Sequence, residues 1–378
     1  MQNMSLPEVR VIISGGGTGG HIFPAIAIAD AIRQAEPSAR ILFVGAEGRM
    51  EMEKVPAAGY DIEGLWISGF QRSFTVRNLL IPFKIIHSTL KARRIIRQFR
   101  PDAAVGVGGY ASGPTIRAAA SMGIPTILQE QNSYPGITNK MLAGKAKKIC
   151  VAYSGMEKYF PAEKIVITGN PVRKDIVNQK NLRDEAFQHF GLDPLKPVVL
   201  AVGGSLGART INQSILNGLK ELAGENIQLI WQTGKLFSDQ AARSVKPFEE
   251  KGFRQLAFIS RMDLAYAAAD VVISRAGAIA ISELCITAKP VILVPSPNVA
   301  EDHQTKNAMA LVSKQAAIMV TDAEAPSGLV SETISLIRDK ERMNRLGHNI
   351  SLLAQQESAQ RIAGIILECI RVNKKSEL

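Results

Sequence analysis

The sequence predicts an α/β protein made of two Rossmann-like domains whose parallel sheets face each other across a cleft. Three observations lead there. Short apolar runs alternate with segments of helical spacing along the whole chain, the pattern of parallel strands covered by helices. A strand, a glycine-rich loop and a helix occur in that order twice, around SGGGTGGH (Ser14–His21) and GGSLGART (Gly203–Thr210). The length, 378 residues, is long for one domain and comfortable for two, each with its own core.

Taken in chain order, the predicted strands include Val9–Ser14, Ile41–Gly45, Asp102–Val107 and Pro125–Gln129. Ile165–Thr168, Val198–Val202, Ile227–Gln232, Val271–Ser274 and Val291–Val294 follow. Ala25–Ala35, Ile211–Leu222 and Ala278–Thr287 carry apolar residues at helical spacing. GNPVR (Gly169–Arg173) reads as the linker, because Asn-Pro interrupts the pattern after a strand. The expected domains are therefore residues 1–170 and 171–356. The last helical segment, within 357–378, follows no new strand and is expected to pack back on the first domain.

Hydrophobic residues make up 46% and charged residues 21%, as in a chain that folds throughout. Cys150, Cys285 and Cys369 lie far apart with no CxxC pair, which argues against a disulfide framework or zinc site and for buried free thiols. MQNMSLPEVR lacks the pattern of a secretory signal, and no apolar run reaches the roughly 20 residues of a membrane span. A soluble or peripheral protein is expected. The formal charge of +11 and pI of about 9.6 favour a polyanionic partner: nucleic acid, anionic lipid or a phosphorylated substrate. No nucleic-acid-binding motif is present.

Four glycine loops sit at strand ends: Ser14–His21, GGYASGP (Gly108–Pro114), GGSLGA (Gly203–Ala208) and SRAGA (Ser274–Ala278). Unpaired amides and the positive helix end make such places phosphate sites. One loop could be a mere tight turn, but four together imply a ligand held between two domains. The first also fits GxGxxG through Gly15, Gly17 and Gly20, the mark of a dinucleotide. The ribose-binding acid expected about 20 residues on is missing, Glu47 being the nearest. The third is no P-loop, since no Gly-Lys-Ser/Thr follows it.

Read together, the loops resemble the MurG family, glycosyltransferase family 28. The matching segments are GGTGGHIFPA (Gly16–Ala25), GVGGYASGP (Gly106–Pro114), EQNSYPGITNK (Glu130–Lys140), GNPVR, GGSLGA, SRAGAIAISE (Ser274–Glu283) and EDHQTKNA (Glu301–Ala308). They run in order over nearly the whole chain. The resemblance implies a GT-B fold and inverting transfer of N-acetylglucosamine from UDP-N-acetylglucosamine to the C4 hydroxyl of muramic acid in lipid I. It also implies a peripheral protein on the cytoplasmic face of the membrane, with partners among cell-wall and division proteins.

For the donor, the first amides of the helix after Gly277, at Ala278 and Ile279, are placed to hold a diphosphate. Glu283, one turn beyond Ile279, would lie on the same face, where the resemblance puts the ribose diol. Ala280, Ile281 and Ser282 belong to that segment. By the same resemblance Ser205, Gln304 and Arg173 contact phosphate, sugar or uracil, and backbone atoms at Ile259 read the base. For the acceptor, inversion requires one base to deprotonate the attacking hydroxyl. His21 is the first candidate, since a helix front keeps an imidazole neutral; Glu130 is the alternative. Asn132 would touch the transferred sugar, and Thr18, Gly19, Gly20 and Tyr110 the acceptor diphosphate. No Asp-x-Asp pair exists, so the expectation is no metal and no cofactor, with helix amides stabilising the leaving diphosphate.

The segment Leu79–Arg100 combines an apolar cluster (Leu79, Leu80, Ile81, Phe83, Ile85, Ile86) with Lys84, Lys91, Arg93, Arg94, Arg97 and Arg100. It reads either as a site for an anionic membrane surface or as a helix covering the sheet. A GT-B enzyme with another acceptor, a UDP-sugar epimerase, an NAD-dependent oxidoreductase and a non-catalytic sensor are the competing functions.

Overall fold

A computed structural model of the chain describes residues 8–68, 81–177, 182–204, 207–299 and 302–376. They form two compact units. The first runs to Arg173 and resumes at Glu357; the second spans Lys174–Gln356.

The first unit holds seven strands: β1 (Arg10–Ser14), β2 (Arg40–Ala46), β3 (Asp61–Leu65), β4 (Ala103–Gly106), β5 (Thr126–Glu130), β6 (Lys148–Val151) and β7 (Ile165–Ile167). They make one parallel sheet in the order β3-β2-β1-β4-β5-β6-β7. The second unit holds β8 (Val198–Val202), β9 (Gln228–Gln232), β10 (Phe253–Leu256), β11 (Val271–Ser274), β12 (Val291–Leu293) and β13 (Ile318–Met319), ordered β10-β9-β8-β11-β12-β13, again parallel. In each sheet the strand order reverses once, between β1 and β4 and between β8 and β11. Ligands of open α/β sheets bind beyond the carboxyl ends of the strands at such a point. All four glycine loops follow these four strands, so the two switch points carry the candidate sites.

Val11 and Ile13 of β1 join one apolar layer and Ile12 the other, because successive side chains leave a strand on opposite faces. The first layer is completed by the helix Gly19–Ala35 and the last helix, Ser358–Ser376, which inserts Ile362, Ile366 and Ile370 at helical spacing. Lys374 of that helix pairs with Asp102 at 2.8 Å.

The strands that the sequence reading did not single out are β3, β6, β10 and β13. β3 and β10 are edge strands with polar residues (DIEGL, FRQL), and β13 has two residues; none offers a strong apolar run. The first helix begins at Gly19 rather than Ala25, because glycines and Pro24 disguise its start. Cys150 and Cys285 are buried, with their thiol pKa values pushed up to about 12, while Cys369 is only half-buried. Among the described residues no helix is long and apolar enough to cross a membrane.

Candidate functional site

At the switch point of the first sheet, the loops after β1 and β4 touch. A Cβ on Gly109 would fall 2.4 Å from the Gly16 carbonyl oxygen, so the two backbones are in contact. Gly108 has φ +93, and a Cβ there would lie 2.9 Å from His21 Nε2. The imidazole thus rests against the second loop while standing on the helix that follows the first. Thr18 Oγ1 lies 3.3 Å from His21 Nδ1. The amide of Ile22 makes the first i→i−4 bond of this helix, to the Thr18 carbonyl, so the amides of Gly19 and Gly20 precede the helical ladder.

His21 has its pKa lowered from the ordinary 6.5, chiefly by burial, with the Gly16 carbonyl and the charge of Glu51 opposing. Burial thus favours the neutral ring. Loss of water, rather than the helix dipole expected from the sequence, is the largest cause.

Glu130 ends β5 and is buried. Its Oε1 accepts from the amide and side chain of Asn132 at 3.1 and 3.2 Å. Its Oε2 accepts from the Gly136 amide at 3.0 Å and from Asn139 Nδ2 at 2.9 Å. Burial raises its pKa and the four donors oppose that rise. The carboxylate closes the loop 130–139, and Asn132 has its amide turned into that network. Tyr110 is exposed. The guanidinium of Arg173 lies over the Phe23 ring, 4.8 Å from its centroid, within the first unit.

Polar residues that the sequence reading passed over hold this end of the sheet. Gln131 Nε2 donates to the Val107 carbonyl at 2.8 Å and to Gln129 Oε1. Gln129 Nε2 donates to Asn170 Oδ1, and Asn170 Nδ2 donates to the Gln131 carbonyl. Their signal was present: amides at the ends of otherwise apolar strands, in LQEQN and TGN.

In the second unit the helix Ala278–Thr287 starts after Gly277, and its first i→i−4 bond runs from the Ile281 amide to the Gly277 carbonyl at 2.9 Å. The amides of Ala278, Ile279 and Ala280 precede it and form a phosphate-sized set of donors. Ile281 packs into the core, and the Ser282 hydroxyl donates back to the Ala278 carbonyl at 3.0 Å. Glu283 is buried, its Oε2 accepting from the Tyr266 hydroxyl at 3.0 Å. It is no surface glutamate.

The Ile259 amide donates to Gln232 Oε1 at 2.9 Å, and Gln232 Nε2 donates to the Gly204 carbonyl at 3.0 Å. Gln232, missed in the sequence, therefore ties the expected base-reading loop to the third glycine loop. Gln304 Oε1 accepts from the Ser296 amide at 2.9 Å, leaving its NH2 group as the donor for a ligand. Ser205 lies outside the described residues, as do Leu79 and Leu80. No cluster of three or more His, Cys, Asp or Glu with metal-binding geometry occurs among the described residues.

On the helix Ile81–Phe99, Ala92, Ile95 and Ile96 face the core. Phe83, Ile85, Ile86 and Leu90 are instead exposed, next to exposed Trp66, whose carbonyl accepts from Ser88 Oγ. Lys84 sits over the Trp66 ring, Lys91 pairs with Glu47 at 3.0 Å, and Arg93, Arg94, Arg97 and Arg100 are exposed.

Comparison with known proteins agrees with this fold. Residues 11–151 match the glycosyltransferase family 28 N-terminal domain, and residues 198–362 its C-terminal domain. A Parabacteroides distasonis protein named UDP-N-acetylglucosamine--N-acetylmuramyl-(pentapeptide) pyrophosphoryl-undecaprenol N-acetylglucosamine transferase is 57% identical over 96% of this chain and 99% of its own length. The protein of that name from Cytophaga hutchinsonii is 54% identical over 97% of this chain and 98% of its own. The crystal structure of Acinetobacter baumannii MurG superposes with a TM-score of 0.73 at 27% identity, covering 96% of this chain and all of that one. A Neisseria meningitidis UDP-GlcNAc 2-epimerase shares the fold alone, at 12% identity, with a TM-score of 0.68 over 96% of this chain and all of that one.

Proposed function

Because the chain belongs to glycosyltransferase family 28, we propose its chemistry in those terms. It transfers N-acetylglucosamine from UDP-N-acetylglucosamine to lipid I, undecaprenyl-diphospho-N-acetylmuramyl-pentapeptide, and the product is lipid II. The C4 hydroxyl of the muramyl sugar attacks C1 of the donor from the side opposite UDP, so the α-linked sugar becomes β-linked. The bond from C1 to the diphosphate oxygen breaks as the new one forms.

The observation that carries the donor half is the front of the helix Ala278–Thr287: three amides ahead of the first helical bond, and a buried carboxylate, Glu283, one turn on. The amides hold the diphosphate and stabilise the charge that grows on it as it leaves. Glu283, steadied by Tyr266, accepts from the ribose diol. Gln304, through its NH2 group, the loop of Ile259 and the third glycine loop with Ser205 complete the donor side, with Arg173 as a further phosphate or uracil ligand.

His21 supports the acceptor half. Its ring is neutral and stands among Thr18, Gly19, Gly20 and the Tyr110 loop, which offer donors for the acceptor's diphosphate. Geometry favours His21 over Glu130 as the base, since four donors already fill the Glu130 oxygens. The proton passes from the C4 hydroxyl to the imidazole and on to solvent. Exposed Phe83, Ile85, Ile86 and Leu90 beside arginines support docking of the first unit on an anionic membrane surface, on its cytoplasmic side, where the lipid-linked acceptor lies.

The test is UDP release on mixing the protein with UDP-N-acetylglucosamine and purified lipid I, with and without excess chelator. UDP and lipid II in equal amounts in both arms are expected. Release without lipid I, or none in either arm, refutes the transfer; loss only with chelator refutes the metal-free mechanism.

A further inference from the structure

The residue that follows β11 is an arginine, close in sequence to the amides offered to the donor's diphosphate, and such an arginine is ordinarily a phosphate ligand. Arg275 is built in differently. Its Nη1 donates to the Val294 and Pro295 carbonyls at 3.0 and 3.1 Å, where the chain leaves β12, and to Asp322 Oδ1. The other oxygen of that carboxylate, Oδ2, accepts from the Thr210 hydroxyl at 2.8 Å. Thr210 stands in the first turn of the helix Arg209–Gly224, which follows the third glycine loop. The side chains of Arg275 and Asp322 are 16% and 25% exposed, so the pair is mostly out of water.

The order of the sheet shows what this pair joins. Strands β8, β11, β12 and β13 are neighbours in that order, and Asp322 lies just beyond β13. Its carboxylate reaches Arg275 beyond β11 and Thr210 beyond β8, so one side chain ties the two sides of the switch point together. There the flanking loops diverge and leave a crevice for a ligand. The turn that carries Asp322 closes without it, since the Thr321 hydroxyl donates to Glu324 Oε2 at 2.7 Å and accepts from the Glu324 amide at 3.3 Å. A carboxylate near a diphosphate site opposes the ligand by its charge. What it contributes there is geometry.

We propose that Asp322 is a positioning residue for donor binding. Through Arg275 and Thr210 it holds the loop after β11 in register with the third glycine loop, so that the amides of Ala278, Ile279 and Ala280 face the diphosphate before it arrives. Donors already in place need no ordering when the ligand binds or when charge grows on the leaving group. Arg275 offsets the carboxylate and links it to the end of β12, next to Ser296, whose amide donates to Gln304.

The inference rests on the front of the helix Ala278–Thr287 holding the diphosphate, and the experiment separates the two. In the full-length enzyme, Asp322→Asn keeps the shape but leaves one oxygen for two donors. The Kd for UDP, read by calorimetric titration, should rise roughly tenfold, the loss expected of a hydrogen bond to a charged group. kcat/KM for UDP-N-acetylglucosamine should fall by a like factor, while KM for lipid I stays within about twofold. Charge alone gives the opposite sign, because removing a negative group would tighten UDP. In an Arg275→Met background, Asp322→Asn should cost less than about twofold more. UDP bound as tightly as by the wild type, or more tightly, overturns the proposal, as does an equal loss in that background. A fall in kcat with the Kd and both KM values unmoved marks a merely structural residue and overturns it too. Ala278→Pro tests the premise, since proline suits the first helical position but has no amide hydrogen. Unchanged UDP affinity in that variant overturns the diphosphate reading itself. If Asp322→Asn does not fold, Thr210→Val decides: weaker UDP binding with KM for lipid I unmoved supports the proposal, and unaltered UDP binding refutes it.

Discussion

The imidazole of His21 lies so close to the α-carbon of Gly108 that a methyl group there would come within 2.9 Å of Nε2. Two glycine loops separated by about half of the first unit in sequence are thereby coupled through one side chain and one missing side chain.

Gly108→Ala should displace the ring. The backbone there has φ +93, which an L side chain adopts only under strain. A shift of about 1 Å in a reacting group costs about 100-fold. The expected result is that loss in kcat with UDP affinity unchanged, read by steady-state kinetics and calorimetric titration of UDP.

The pH dependence follows from the lowered pKa of His21. Its neutral form persists below the usual 6.5, so the acid limb of kcat should lie below that value. The same shift acts on stability. Below the unfolded value the unfolded chain takes the proton first, so stability falls as pH drops through and below 6.5. His21→Ala should abolish this limb in residual activity; a limb that stays in place would assign it to another group.

Glu130→Gln puts an NH2 group where two donors converge. An unsatisfied buried donor costs about 1–3 kcal/mol, so a drop in stability of that order is expected by denaturant titration. Activity should fall with the loop, through a higher KM for lipid I, while the acid limb stays put. Loss of the limb itself would make Glu130 the base.

Tyr266→Phe removes the hydroxyl that donates to Glu283. A hydrogen bond to a charged group is worth about 1.5–3 kcal/mol. KM for UDP-N-acetylglucosamine should therefore rise roughly tenfold or more, with kcat nearly unchanged. An unaltered KM would show that Glu283 needs no such support.

Replacing Lys84, Lys91, Arg93, Arg94, Arg97 and Arg100 by glutamine should weaken binding to vesicles containing anionic lipid, by about 1 kcal/mol per charge that reaches the surface. Phe83→Ser with Ile86→Ser should weaken it at high salt as well. UDP affinity should not change. Vesicle sedimentation that ignores all eight substitutions would leave this helix without a membrane role.

Much of this was readable in advance, and the reasons differ by residue. Val198–Val202 and Ala278–Thr287 were delimited correctly because buried parallel strands are continuous apolar runs and glycine marks the helix start. His21 stood out through its place after the glycine loop. Glu51 did not, because GRMEMEKVP reads as an exposed, charged helical turn; its burial depends on the absence of side chains at Gly45 and, far from it in sequence, at Gly16. Gln232 was hidden likewise, since a glutamine ending a strand looks the same whether solvent or a neighbouring loop receives it. The exposure of Phe83 and Ile86 was undecidable from spacing, as either face of that helix could have met the sheet.

The last helix places Ile362, Ile366 and Ile370 in the same apolar layer as β1. During synthesis the first unit therefore waits, one wall of its interior open, until the ribosome has made everything after Arg173. The second unit, continuous in sequence, has all its parts before that wall arrives. Folding order is thereby inverted with respect to chain order, and a stop codon only twenty residues early would strike the unit that was begun first.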